Sequence, residues 1–240
     1  MTRKIALVVG GSRGIGAATV TALARDGFDV AFTYVRNPPE DTADVPGARI
    51  RGYQADVQDP ERVARVFAEV AGDFGAAPHC VVANAGINVP PAPVGQFDPA
   101  SFRQLVEINI VGAFNILQAA ARQVTDGGCI VAVTTSLVRH AVPGVGPYSA
   151  TKAAVECLVR SMAKELAGRG IRVNAVAPGP VDTDLFRAGK DDEAIRRSAA
   201  LSPFNRVGRP EEVAEVIRFL ASDRASWVHG QIVQPNGGLI

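Results

Sequence analysis

Cysteine is scarce in this chain. The three present, Cys80, Cys129 and Cys157, are odd in number, far apart and set among apolar residues. That argues against a disulfide frame or a thiolate metal site and points to buried free thiols in a reducing compartment. Histidine is equally sparse: His79, His140 and His229 are scattered, so no metal cluster is expected. An excess of one charge is missing too. The net charge is +1, with no basic stripe to suit nucleic acid and no acidic tail to suit disorder. No apolar run reaches transmembrane length. The opening MTRKIALVVGG runs straight into an apolar strand and then glycine, too short for a secretory core and without a cleavage pattern. A soluble cytoplasmic protein, without nucleic-acid or membrane partners, is the expectation.

What is present is an alternation. The 240 residues are 47% hydrophobic, enough for one α/β domain with a full core. Ile5–Val9 is a continuous apolar run, the pattern of a central parallel strand buried on both faces. Further strands are expected at 29–34, 50–54, 80–83, 130–133, 172–177 and 231–234. Helices are expected from the first glycines to about Asp26, at 61–74, 102–123, from Tyr148 to about Arg169 with Gly170 as the stop, and at 210–222. Residues 37–47 read as a Pro-rich loop or frayed short helix, and Val89–Gly95 as an irregular excursion. Thr183 to about Asn205 is polar and mixed, a mobile lid in waiting. No linker, repeat or domain break interrupts the alternation. The fold class is therefore α/β: a single Rossmann-type domain with a doubly wound, mostly parallel seven-stranded sheet.

The first strand ends in Gly10-Gly11-Ser12-Arg13-Gly14-Ile15-Gly16 and a helix follows. Strand, glycine loop and helix point backbone N–H groups and a helix N-terminus at a phosphate. Gly10 permits the turn, Gly14 the approach of a pyrophosphate, and Gly16 close helix packing. The spacing is GxxxGxG. An NAD site would place an acid at the end of the second strand for the ribose hydroxyl. Here that strand ends in Tyr34, with Arg36 soon after, while Asp29 and Glu40 stand at the wrong places. Arg13 and Arg36 suit a 2′-phosphate, so NADP is expected over NAD.

In YSATK, Tyr148 and Lys152 lie four residues apart and share a helix face. An ammonium beside a phenol favours the phenolate, which makes Tyr148 a candidate general acid/base and Lys152 its tuner. Asn109, in EINIVG, is unusual inside a helix. Its plain account is a side chain bonded locally to backbone.

Taken together, these pieces resemble the short-chain dehydrogenase/reductases, particularly the β-ketoacyl-carrier-protein reductase-like branch. The match runs from Ile5 to Gly238. It rests on GGSRGIG at 10–16, DV at 56–57, NAG at 84–86, EINIVG, YSATK, APGPVDT at 177–183, PFNRVGRPEEVA at 203–214 and the closing NGG. The resemblance implies that Tyr148 protonates the substrate carbonyl oxygen, and that Lys152 binds the nicotinamide ribose and lowers the Tyr148 pKa. It implies that Asn109 holds a relay water. It sets Asp56 and Val57 against the adenine and Asn84, Ala85 and Gly86 along the ribose side. Pro178, Gly179, Val181 and Thr183 fall at the nicotinamide end. The hydroxyl that polarises the carbonyl is usually a serine thirteen residues before the tyrosine. That register falls on Thr135, with Ser136 next, and only one of two adjacent strand residues faces a site. Thr135 is favoured, and Ser136 stays open. Val9 stands where the family usually has a structural threonine, which implies a slightly looser loop.

The resemblance implies an NADP-dependent oxidoreductase acting on a ketone or secondary alcohol. A 3-oxoacyl thioester, a polyketide intermediate or a small cyclic ketone are the substrates it permits. The alternatives are a non-catalytic NADP-binding sensor or assembly protein, and a decarboxylating, dehydrating or epimerising relative. Residues 90–97, 140–147 and 186–204 are expected to shape the pocket. Arg139, Arg187, Lys190, Arg196 and Arg197 either attract an acyl carrier protein or form a solvated surface, the second being the simpler reading. A homotetramer or homodimer is implied through the helices at 102–123 and 148–169.

Overall fold

A computed structural model describes residues 3–36, 38 and 44–240. Strand β1 (Ile5–Val9) is an interior strand, third in order, of a seven-stranded sheet. Around it run β2 (Asp29–Tyr34), β3 (Ile50–Gln54), β4 (Cys80–Ala83), β5 (Cys129–Val133), β6 (Arg172–Val176) and β7 (Ile232–Val233), in the order β3-β2-β1-β4-β5-β6-β7. Every pairing is parallel. The winding reverses between β1 and β4, where a crevice opens beyond the strand C-termini.

The continuous apolar run of β1 is explained by its two buried faces. Ile5, Leu7 and Val9 enter one core layer with Phe67, Ile116, Ile130 and Val159. Ala6 and Val8 enter the other with Leu23, Phe32, Ile217 and Leu220. Helices α2 (Pro60–Phe74), α4 (Ala113–Gln123) and α5 (Gly146–Glu165) cover the first layer, and α1 (Gly14–Arg25) and α8 (Pro210–Ala221) the second. Helix α2 shows why the sequence starts and stops where it does. Asp59 caps Arg62 N, Pro60 opens the first turn, and Gly75 ends it with φ of 85°.

The expected helix at 102–123 begins earlier, as α3 (Pro99–Val106), and joins α4 through a π-helical turn at Glu107–Gly112. The unbroken helix Pro99–Gln123 is long and apolar enough to cross a bilayer by length and composition, although Arg103, Glu107 and Arg122 interrupt its apolar stretch. Half of its most apolar window is buried inside the fold, as in a core helix. The segment expected as a lid contains α6 (Asp184–Arg187) and α7 (Asp192–Ala200). The expected loop at 37–47 lies largely outside the described residues.

Candidate functional site

The glycine loop is fastened from both flanks. Gly10 N donates to Thr33 Oγ1 at 2.9 Å, and Asn84 Nδ2 donates to Gly10 O at 2.7 Å. Thr33, from β2, anchors the loop beside Val9, so the looseness implied at Val9 meets a tie from the neighbouring strand. Gly10 has φ of 84°, and a Cβ there would fall 2.8 Å from Ala85 Cα. A Cβ on Gly16 would fall 2.0 Å from Gly10 O. These contacts explain two glycines by close backbone approach.

Helix α1 then begins at Gly14 with Arg13 in the capping position and, among the described residues, no side chain capping its first-turn amides. Helices α2, α3 and α7 are each capped by an aspartate, Asp59, Asp98 and Asp191. Uncapped amides at a positive helix end suit a diphosphate. A cleft of about 510 Å³ starts at Gly11, Ser12 and Gly14 but continues along α1 and the start of α8, past Ala18, Thr21, Pro210 and Glu211, and Gly86, Tyr148 and Lys152 do not line it. Ile15 is half-buried against the second core layer. The glycine loop and the uncapped helix end, not this cleft, fit the diphosphate of a dinucleotide.

At the far end of β2, Tyr34 is half-buried while Arg13 and Arg36 are exposed. Among the described residues, neither arginine pairs with a carboxylate. Asp29 is occupied: its buried carboxylate lies 2.8 Å from Arg49 Nη2, so it is no ribose ligand. Glu40 falls outside the described residues. Asp56 closes a turn by accepting from Gln58 N at 3.0 Å, and Val57 O accepts from Asn115 Nδ2 at 2.9 Å. Asn115 carries no motif signal, yet it fixes the Asp56–Val57 corner.

Across the crevice, the π-helical turn swings Asn109 inward, where it is fully buried. Its Oδ1 accepts from Ile87 N and its Nδ2 donates to Ile87 O, both at 2.9 Å. The same Nδ2 reaches Thr151 Oγ1 at 3.2 Å. The plain local-bond account of Asn109 is thus corrected: its partners lie on the loop after β4 and on α5. Gly86 packs into the same place, since a Cβ there would stand 3.1 Å from both Asn109 Oδ1 and Lys152 Nζ.

Lys152, 6% exposed, donates from Nζ to Val133 O at 3.0 Å. Burial pushes its pKa down to about 8. Tyr148 sits two positions into α5, and desolvation pushes its phenol up to about 12, although part of the side chain still meets solvent. The crowding of protein around the group decides that direction. This corrects the expectation that the lysine depresses the phenol: among the described residues Lys152 bonds to Val133 O, and desolvation wins at Tyr148.

The two candidate hydroxyls differ in their commitments. Ser136, 1% exposed, donates from Oγ to Ala177 O at 2.8 Å, so its proton is spent on the exit of β6. Thr135 Oγ1 accepts from Leu137 N at 3.3 Å, and among the described residues its own proton meets no acceptor. Ser136 N in turn donates to Pro178 O at 2.9 Å. Beyond Pro178, a Cβ on Gly179 would meet Asn236 Cα at 2.9 Å, Val181 bridges to Gly208, and Thr183 caps α6 through Phe186 N. The Thr183 methyl lies 3.1 Å from where a Gly14 Cβ would stand, so the base of the 183–205 segment abuts the glycine loop.

Most of the basic residues considered for a carrier protein are engaged internally. Arg139 pairs with Glu156, Arg187 with Asp182 and Arg197 with Glu193, while Lys190 lies over the Phe186 ring. Arg196 has no such partner among the described residues.

The family model described as enoyl-(acyl carrier protein) reductase matches residues 9–240. A cis-4-hydroxycyclohexanecarboxylate dehydrogenase of Sinomonas cyclohexanicum is 41% identical over 98% of this chain and 96% of its own. An NADPH-dependent aldehyde reductase-like chloroplastic protein of Arabidopsis thaliana is 37% identical over 99% of this chain and 94% of its own. Among solved structures, a short-chain dehydrogenase of Burkholderia cenocepacia J2315 in complex with NADP superposes with a TM-score of 0.89 at 32% identity. That comparison covers 98% of this chain and 97% of the other. With this sheet order, this glycine loop and these relatives along nearly its whole length, the chain belongs to the short-chain dehydrogenase/reductase family.

Proposed function

We propose that this protein is an NADP(H)-dependent oxidoreductase that reduces a ketone to a secondary alcohol. The observation that carries the reading is the convergence of Lys152, Asn109 and Gly86 one turn from Tyr148, across the crevice from an uncapped α1. When bound, NADPH supplies the hydride. The α1 amides, with Ser12 and Gly14, would cradle the diphosphate, and Arg13 and Arg36 would meet the 2′-phosphate. Lys152 would hold the nicotinamide ribose. Tyr148 donates the proton to the carbonyl oxygen, Thr135 donates a hydrogen bond to that oxygen as charge develops, and Asn109 would hold a relay water.

A 3-oxoacyl thioester is the first substrate to try. A six-membered cyclic ketone bearing a carboxylate is the second, since the Sinomonas relative is named for the corresponding hydroxy acid. A carrier-protein surface finds little support, because four of the five basic residues considered for it are engaged internally. Assembly through α3–α4 and α5 is supported by Phe102 and Phe114, 42% and 44% exposed on that helix. The 183–205 segment would act as the lid. Cys80 and Cys129 are buried as expected, whereas Cys157 on α5 is exposed; as free thiols all three suit a reducing compartment such as the cytoplasm.

The hydroxyl assignment is tested by Thr135→Val and Ser136→Ala. Thr135→Val is expected to lower kcat about 100-fold, the worth of one oxyanion donor. Ser136→Ala is expected to act mainly on stability, because its proton serves Ala177 O. Steady-state kinetics beside thermal melts decide it, and a larger kcat loss in Ser136→Ala reverses the assignment.

The cofactor assignment is tested by the paired variant Arg13→Ala/Arg36→Ala. KM for NADPH is expected to rise at least about 10-fold, since charge-assisted hydrogen bonds contribute about 1.5–3 kcal/mol. KM for NADH should change little. An equal rise for both cofactors would remove the 2′-phosphate role.

A further inference from the structure

We infer that the buried Glu156, paired with Arg139, is a positioning residue for the reaction: it fixes the exit of β5, which carries Thr135, against the helix that carries Tyr148 and Lys152. The inference rests on the assignment of Tyr148 and Thr135 proposed above.

Glu156 stands one turn beyond Lys152 on α5, with its side chain 2% exposed. Its carboxylate grips the segment after β5 at two points. Thr134 Oγ1 donates to Oε1 at 3.2 Å. Arg139 donates from Nη1 to Oε1 at 3.0 Å and from Nη2 to Oε2 at 2.9 Å, a bidentate pair. Arg160 lies farther off, 3.8 Å from Oε2. One turn earlier, Lys152 Nζ holds Val133 O. Two successive turns of α5 therefore hold residues 133, 134 and 139, and the hydroxyls of Thr135 and Ser136 lie between those grips. The other side of the segment is tied to β6 through Ser136 N and Oγ.

Stability is a weak reason for such a pair. Removing two charges from water costs about as much as their attraction returns, and apolar side chains of similar volume often do as well. A bidentate pair adds geometry: one carboxylate, two fixed directions, and a set distance between α5 and the strand exit. A carbonyl substrate must meet the Tyr148 proton and the Thr135 proton on a single oxygen, so an error of about 1 Å between the two elements would cost about 100-fold in rate.

Three variants are compared with the wild type: Glu156→Gln, Arg139→Lys, and the paired Glu156→Met/Arg139→Met. Reduction of an acetoacetyl thioester gives kcat, fluorescence titration gives NADPH affinity, and calorimetry gives Tm. Glu156→Gln is expected to lower kcat about 10- to 100-fold, with NADPH Kd within about 3-fold of wild type. Arg139→Lys, which keeps the charge and loses the fork, is expected to lower kcat at least about 5-fold. The apolar pair is expected to melt at or above Glu156→Gln while its kcat stays low. A kcat within about twofold of wild type in both Glu156→Gln and Arg139→Lys overturns the inference, and so does recovery of kcat together with Tm in the apolar pair. Arg139 is partly exposed, so Arg139→Lys decides the matter even where Glu156→Gln does not fold. A wild type inactive toward the acetoacetyl thioester is assayed with 4-oxocyclohexanecarboxylate in its place; inactivity toward both would remove the proposed reaction itself, whereas an active wild type with unaffected variants removes this inference alone.

Discussion

Tyr148→Phe is expected to lower kcat for ketone reduction at least about 1000-fold while NADPH affinity stays within about 3-fold. The change deletes a single oxygen and leaves the ring packing of α5 intact. General acid catalysis contributes about 100- to 10,000-fold, and this hydroxyl also shares the oxyanion with Thr135. A phenol pushed up to about 12 is protonated at neutral pH, the form that donates to a carbonyl oxygen. Kinetics in the reductive direction, beside a fluorescence titration with NADPH, check both halves. Retained turnover in Tyr148→Phe would assign the acid to another group.

Lys152→Met is expected to abolish most activity and yet make the protein more stable. The lysine is buried, and its pKa of about 8 stands below the 10.5 of an ordinary lysine. The sign follows from proton binding. Between those two values the unfolded chain binds more protons than the folded one, so stability rises with pH across that window. Below about pH 8 the ammonium is charged in both states, and folding bears the full cost of burying it, roughly 3 kcal/mol. Losing the bond to Val133 O offsets about 1 kcal/mol of the gain. Near pH 7, Lys152→Met should therefore melt about 5 °C higher than wild type in the absence of cofactor, while kcat/KM for reduction falls at least about 100-fold. In the wild type, kcat/KM should decline as pH rises through about 8, because the free enzyme loses the ammonium there. A lower Tm for Lys152→Met, or a flat profile from pH 7 to 9, would contradict the assignment.

The sheet was readable in the chain because parallel strands buried on both faces appear as unbroken apolar runs. Ile5–Val9 and Cys80–Ala83 read that way, and glycines such as Gly10 and Gly16 mark where backbones approach. The motif residues were readable for the same local reason. What stayed hidden depends on partners far along the chain. Thr33 holds the glycine loop from the next strand, Asn115 holds Val57 across 58 positions, and Glu156 meets Thr134 and Arg139 across 22 and 17 positions. None has a periodic or motif signature. The π-helical turn has no composition signal either, although the polar Asn109 in an apolar helix hinted at a special position. Local reasoning also misjudged Tyr148. Spacing puts an ammonium one turn away, but only the packed environment shows that desolvation prevails. The basic residues at 139, 187, 190 and 197 read more simply as solvated surface than as a carrier-protein field; Arg139, Arg187 and Arg197 are exposed, and each of the four has a partner within the chain that sequence alone does not show.

The most direct test of the central claim is the kcat/KM of the purified wild type with NADPH and with NADH. Acetoacetyl thioester and 4-oxocyclohexanecarboxylate serve as the ketones. Turnover of at least one ketone is expected, with NADPH preferred by about 10-fold or more. Saturable NADPH binding without turnover of any ketone or aldehyde would contradict the claim and favour a cofactor-binding protein without catalysis.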